Sequence, residues 1–131
     1  MIEYTTDLAG VEPEQLEGFF VDWPKPPSAE RHLEILRGSS HVVLAKEGAR
    51  VVGFVTAISD GVLSAYIPLL EVLPDYQGRG IGTELVRLLL ARLGDLYMID
   101  LSCDEDVVPF YERLGLHRWD AGMGIRNRDA L

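Results

Sequence analysis

Residues 70–85 read LEVLPDYQGRGIGTEL, and the order of residue types in this stretch sets the architecture. An apolar, strand-like run ends at Pro74. The turn Gln77-Gly78-Arg79-Gly80-Ile81-Gly82 follows, and an amphipathic helical pattern begins at once. Glycines remove the side chains that would block approach to the backbone, so such a turn offers several N–H groups to one point. At a helix N-terminus those groups lack partners within the helix, and the helix dipole favours an anion. The expected ligand is a phosphate or pyrophosphate. Two common phosphate signatures do not fit. The dinucleotide pattern G-x-G-x-x-G, started at Gly78, meets Thr83 at its sixth position, and the chain contains no Gly-Lys-Ser or Gly-Lys-Thr. The spacing present is Gln-x-x-Gly-x-Gly; the plain alternative is a strand-to-helix turn that binds nothing.

At 131 residues the chain has the length of one domain with a proper hydrophobic core, and 1–131 is read as a single domain. Apolar content of 47% and charged content of 25% are ordinary for a soluble globular protein. A net charge of −9 argues against a nucleic-acid-binding face. It suits a cationic partner such as an amine, although acidic surfaces commonly serve solubility alone. Cys103 is the only cysteine, so no intrachain disulfide can form and a reducing compartment is expected. No apolar run approaches a membrane span, and MIEYTTDLAG carries acids rather than a signal-peptide pattern. The expectation is a cytoplasmic protein with neither membrane nor nucleic acid as partner. His32, His41 and His117 are scattered without metal-ligand spacing, and no metal is expected.

Alternation predicts strands over residues 2–7, 41–45, 50–58 and 63–72, the last three joined by Gly-containing turns as an antiparallel meander. Residues 11–21 suit a first helix with Leu16, Phe19 and Phe20 on its apolar face, and Ser28 caps a second that runs to Arg37 with Gly38 as its stop. A helix is expected over 80–93, a buried strand over 96–103, a helix over 107–114 ended by Gly115, and closing strand material over 116–126. The strand–helix–strand order calls for a right-handed crossover and one parallel pair. The fold class is therefore α/β (α+β), a mixed, partly antiparallel and partly parallel sheet flanked by helices.

This order resembles the GNAT superfamily of N-acetyltransferases, as a small bacterial-type single-domain member, along nearly the whole chain. Two correctly separated motifs carry the likeness: Gln77-x-x-Gly80-x-Gly82 and Phe110-Tyr111-Glu112-Arg113-Leu114-Gly115-Leu116. The resemblance implies acetyl-CoA as co-substrate and direct attack by a primary amine in a ternary complex. It also implies a fourth strand that bulges and splays from the fifth. Pro68 fits that bulge on its own, since proline cannot donate to a ladder. By the same resemblance, backbone groups of Leu70, Glu71 and Val72 pair with the pantetheine arm, and an N–H near Val72 or Leu73 serves the oxyanion. Gln77, Gly78, Arg79, Gly80, Ile81, Gly82 and Thr83 then cradle the pyrophosphate, with Arg79 either reaching a phosphate or simply solvated.

Tyr111 stands where the family places the acid that returns a proton to the CoA thiolate; by spacing alone a core aromatic is an even alternative. Phe110 reads as packing or a CoA contact. Glu71 is the leading base, because a carboxylate among Leu69, Leu70, Val72 and Leu73 calls for a partner or a function; a structural ion pair or an exposed position is the rival. Tyr66 is a second base candidate and, with Phe20 and Trp23, a candidate for binding the acceptor. Phe19, Phe20 and Trp23 form either an aromatic wall over the acceptor or a staple for their own loop. Asp104, Glu105 and Asp106 read as helix-start compensation ahead of an ammonium-attracting rim. The acceptor is a small-molecule or peptide amine of open identity, and the family likeness makes a homodimer common. A longer acyl donor is a further variant. The competing function is an acyl-CoA-binding sensor or interaction module without catalysis.

Overall fold

A computed structural model describes residues 1–119 and 121–130. The chain runs through β1 (Ile2–Thr5), a 3-10 turn (Pro13–Leu16), α1 (Ala29–Gly38), β2 (His41–Glu47), β3 (Arg50–Ser59) and β4 (Ser64–Val72). It continues through a 3-10 turn (Pro74–Tyr76), α2 (Ile81–Leu93), β5 (Met98–Asp100), another 3-10 turn (Glu105–Val107) and α3 (Val108–Glu112). The strands make one five-stranded sheet in the order β1-β2-β3-β4-β5, antiparallel throughout except for the parallel β4–β5 pair. This is the mixed sheet the sequence calls for.

Pro68 sits where the ladder breaks. Thr56 pairs with Leu69 but Ile58 pairs with Tyr66, so β4 advances one residue more than β3 between those pairs. A bulge is where a strand tolerates a residue without an N–H. β5 pairs with β4 only from Ser64–Met98 to Tyr66–Asp100, and the two strands separate before the bulge. The splay expected between them is present.

The two faces of the sheet carry different helices. Gly53 on β3 faces α2 so closely that a Cβ there would lie 3.1 Å from Leu85 Cδ1 and 3.3 Å from Ile81 Cγ2. Ile81, Leu85, Val86, Leu89 and Leu93 of α2 are buried; each such side chain contributes roughly 1.5–3 kcal/mol relative to exposure. On the opposite face Phe54 meets α1, whose His32, Leu33 and Leu36 are buried. Ser28 caps α1 by accepting the Arg31 N–H at 3.1 Å. Gly38 is the last helical residue rather than the stop; Ser39 caps that end, its N–H reaching Leu36 and its hydroxyl donating to Ile35.

Four expected elements differ. Residues 11–21 form only the 3-10 turn at Pro13–Leu16, because Gly18, Phe20 and Asp22 all take positive φ (95°, 62° and 66°) and turn the chain inward. The strand expected over 96–103 shortens to β5, since the splay leaves the rest without a ladder partner. Residues 116–126 carry no strand among those described, position 120 lying outside them. α3 stops at Glu112, short of the expected 107–114, and a turn carries the chain on to Gly115 (φ 96°), across which the Leu116 N–H reaches the Tyr111 carbonyl.

His32 is 1% exposed, and neither ring nitrogen has a partner among the described residues. Its ring is caged by Phe54, Phe20 and Phe19 at centroid distances of 4.4, 4.9 and 5.3 Å. Burial holds its pKa down to about 4, against an ordinary 6.5. Below pH 6.5 the unfolded chain takes up a proton that the folded chain refuses, so stability falls as pH drops toward 4. From these values about 2 kcal/mol should be lost between pH 7.5 and 5. Denaturant melts of wild type and His32→Leu across that range should show this slope in the first and its loss in the second.

Candidate active site

The glycine turn is built for contact with its backbone. Gly78 and Gly80 take φ of 78° and 81°, and Gly80 occupies the N-cap of α2 without a side-chain cap. A Cβ at either position would meet nothing within 4 Å, so the glycines serve the backbone path and leave its outer side open. Among the described residues, the N–H groups of residues 78–83 have no hydrogen-bond acceptor; the first bond of the helix is Glu84 N–H to the Gly80 carbonyl. A row of unspent donors at the positive end of α2, with open space before it, fits a pyrophosphate.

The side chains of the turn have other work. Gln77 Nε2 donates to the Val72 carbonyl at 3.1 Å, tying the turn to the end of β4. Arg79 donates to the Asp75 carbonyl at 3.0 Å and lies over the Tyr76 ring, 4.9 Å from its centroid. Its guanidinium therefore braces the turn in this structure, a role absent from both sequence alternatives.

The adjoining edge of β4 is resolved by alternation. The Leu73 N–H donates to the Val52 carbonyl at 2.9 Å, so it is not free to serve an oxyanion. Neighbouring residues of a strand point their backbone groups to opposite sides, which turns the groups of Val72 and Leu70 toward the splay. Val72 N–H is thus the remaining donor of the two considered, and Glu71 belongs to the β3 side by its backbone.

Glu71 pairs in register with Phe54, on the α1 face. Its Oε1 accepts the Phe20 N–H at 2.8 Å. Burial raises its pKa, while the N–H groups of Phe20 and Val21 pull it down. The carboxylate is half-buried and partnered by backbone, which neither the ion-pair nor the exposed alternative describes. Phe20 is itself 3% exposed, packed on His32 and Phe54, with the Trp23 ring 5.0 Å away. Phe19 is buried as well, so these two phenylalanines are core and staple rather than the surface of an acceptor wall; Trp23 alone of the three is exposed.

α3 meets the turn through Phe110. The position of a Cβ on Gly82 lies 3.6 Å from Phe110 Cζ and 3.8 Å from Val72 Cγ2, so the glycine turn, the β4 edge and α3 converge there. Phe110 is a packing residue, and its ring lies 4.9 Å from that of Tyr111 in an edge-on contact. Tyr111 is half-buried; burial first, and Cys103 second, push its phenol up to about 12. It lines a groove of about 700 Å³ together with Tyr66, Ser102 and Cys103. Glu71 and residues 77–83 are not part of that groove, so Tyr111 joins the glycine turn by way of Phe110, not by a shared cavity. Tyr66 donates to Ser102 Oγ at 3.1 Å, bridging β4 to the chain beyond β5; nothing in the sequence flagged Ser102. Glu105 is bound to Arg118, and Asp104 makes no side-chain cap. Among the described residues no helix is long and apolar enough to cross a membrane, and no cluster of His, Cys, Asp and Glu could hold a metal.

The chain belongs to the acetyltransferase (GNAT) family, whose model matches residues 8–116. N-alpha-acetyltransferase RimI of Mycobacterium tuberculosis is 32% identical over 115 residues, covering 84% of this chain and 70% of that protein. The uncharacterized N-acetyltransferase ycf52 of Pyropia yezoensis is 31% identical over 100 residues, covering 72% of this chain; the match spans 58% of that relative's length. A solved structure from Deinococcus radiodurans R1, assigned as an acetyltransferase, shares 54% identity with a TM-score of 0.94 over 98% of this chain and 90% of its own. A GNAT-family acetyltransferase from Streptococcus pneumoniae TIGR4 shares 30% identity with a TM-score of 0.80, over 98% and 99%.

The Glu71–Phe20 bond predicts a local effect. A hydrogen bond to a charged group contributes about 1.5–3 kcal/mol. Glu71→Ala should therefore speed amide exchange at Phe20 by roughly 10- to 100-fold, and Glu71→Gln, which keeps an acceptor oxygen, by less. Equal exchange in all three proteins would show that the bond does not hold the loop.

Proposed function

We propose that the chain is an acetyl-CoA-dependent N-acetyltransferase that moves an acetyl group to a primary amine by direct attack in a ternary complex, with 1–131 acting as one GNAT domain. The observation that carries this reading is the run of unspent N–H groups at residues 78–83, joined to Tyr111 through the Gly82–Phe110 contact. Bound acetyl-CoA would supply an activated thioester. The turn would hold its pyrophosphate through backbone N–H groups, and the splayed edge at Leu70 and Val72 would pair with its extended arm. Val72 N–H is the donor available to a carbonyl oxygen gaining charge.

Glu71 takes the proton of the attacking amine on its carboxylate and passes it to solvent. Tyr111 has a narrower task than full proton transfer. A phenol at about 12 is a weaker acid than an ordinary thiol near ~8.5, so it keeps its proton. It stabilises the leaving sulfur by donating a hydrogen bond, and the thiolate takes its proton from solvent. The M. tuberculosis relative is named for N-alpha-acetylation, which sets a peptide amine beside small-molecule amines as acceptor. The proposed use of acetyl-CoA and the lone thiol Cys103 favour a cytoplasmic setting.

Calorimetric titration with acetyl-CoA and CoA is the primary test. Binding that is weakened at least ~10-fold by Gly80→Val, which places a β-branched side chain at positive φ, supports the pyrophosphate turn. Unchanged affinity in that variant refutes it. Tight binding with no thiol release across a broad amine panel would instead mark a binding module without catalysis.

Glu71 and Tyr111 make separate predictions. Tyr111→Phe should lower kcat roughly 10²-fold, as loss of one hydrogen-bond donor to a developing charge does, and because the phenol stays protonated, wild-type activity should show no Tyr111-dependent fall below about pH 10. The acid limb of kcat/KM should lie above the ordinary glutamate value of 4.5, in the direction burial moves Glu71, and should vanish in Glu71→Gln. A Tyr111→Phe enzyme with wild-type turnover at every pH would remove Tyr111 from the mechanism.

A further inference from the structure

The glycine turn is held by contacts that its own motif does not contain. Among the described residues the N–H groups of residues 78–83 have no acceptor, so they carry like partial charges that repel one another. Gly78 and Gly80 also leave the backbone free to take many other paths. A loose turn of this kind would be ordered only by its ligand, and that ordering would subtract from affinity. Contacts formed beforehand remove the loss. Gln77 supplies one at the end of β4, through the Val72 carbonyl.

The others run away from β4. The bond from Arg79 to the Asp75 carbonyl closes residues 75–79 on themselves, and the same guanidinium rests on the Tyr76 ring. The Tyr76 hydroxyl in turn donates to Glu47 Oε1 at 2.6 Å, a short bond to a charged acceptor. That bond raises the phenol above its ordinary pKa of 10, so the hydroxyl keeps its proton and stays a donor. Glu47 ends β2 and is held in register by Ile2 of β1 and Arg50 of β3. It lies two strands from β4 and 29 positions from Tyr76, yet it reaches the turn through a single phenol. Glu47 and Arg79 are exposed. Exposed electrostatic contacts add little to global stability; this one instead limits where the Tyr76 ring, and the guanidinium on it, can sit.

We propose that Glu47 is a positioning residue for acetyl-CoA binding, acting through Tyr76 and Arg79 to hold the glycine turn in its binding shape. The proposal rests on the reading of residues 78–83 as a pyrophosphate site. A carboxylate in direct contact with a phosphate would oppose binding, so the effect of Glu47 passes through the phenol. What the phenol requires is an acceptor oxygen at that place, which a carboxamide also supplies.

The test is calorimetric titration of the full chain with acetyl-CoA, with a urea melt of each variant. Glu47→Ala should weaken binding roughly 10-fold, the scale of one hydrogen bond to a charged group, while the urea midpoint stays at its wild-type value. Tyr76→Phe keeps the ring beneath Arg79 and loses the hydroxyl; it should weaken binding to the same degree. The double variant should bind no more weakly than either single one, as the two ends of one bond require. Glu47→Gln should recover most of the affinity. Wild-type affinity in Glu47→Ala overturns the proposal, and so do additive losses in the double variant or a loss that Glu47→Gln does not restore. Gly80→Val separates that failure from failure of the underlying reading. If Gly80→Val loses binding while Glu47→Ala keeps it, the pyrophosphate turn stands and Glu47 has no part in it. A wild type that binds no acetyl-CoA, or a Gly80→Val protein with wild-type affinity, overturns both.

Discussion

The missing N–H of Pro68 is the constraint on which the active half of the molecule depends. A residue that cannot donate must sit where the ladder is already broken, and here the break adds one residue to β4 between its pairs with Thr56 and Ile58. Beyond that point β4 keeps its partner on the β3 side and loses it on the β5 side. The edge so exposed ends at Val72, where the Gln77 side chain ties it to the glycine turn. Bulge, bare edge, clamp and helix N-terminus follow one another within a few residues, so the strand that supports the core also keeps an open backbone edge.

A second tie crosses the sheet. Glu71 holds the Phe20 amide, and Phe20 in turn closes the aromatic cage over His32 and Phe54. Phe20 and Asp22 pay for this course with positive φ, a backbone state that bulky residues adopt only when their surroundings impose it. The same burial that stabilises the loop raises the Glu71 pKa, while the N–H groups of Phe20 and Val21 pull it down.

Much of the architecture was legible because it is local. The glycine turn announces itself by spacing, α2 by its apolar period, the meander by alternation and turn residues, and the bulge by a proline within a strand pattern. What escaped the sequence depends on distant partners. The helix expected over 11–21 fails because Phe19 and Phe20 are drawn into the cage made by α1 and β3. The Glu71–Phe20 bond joins residues 51 positions apart, and no local pattern marks it. Apolar character near Trp23 suggested a binding wall, yet the same character equally marks core, and burial chose core for both phenylalanines. Strand alternation over 116–126 was read correctly as a pattern and wrongly as an element of this sheet, since a pattern states which face is apolar and not which edge will receive it.

The alternation that leaves Val72 N–H turned toward the splay carries a consequence for sequence drift. A donor supplied by the main chain has no codon of its own. Substitution at position 72 changes a side chain on the α2 face and leaves the amide in place, provided the bulge and the Gln77 clamp persist. Selection on such a group acts at one remove, on the proline that opens the edge and the glycines that shape the turn. Relatives can therefore diverge widely along β4 while keeping the same backbone edge, and a scan of single substitutions would record tolerance at the very residue whose amide faces the splay.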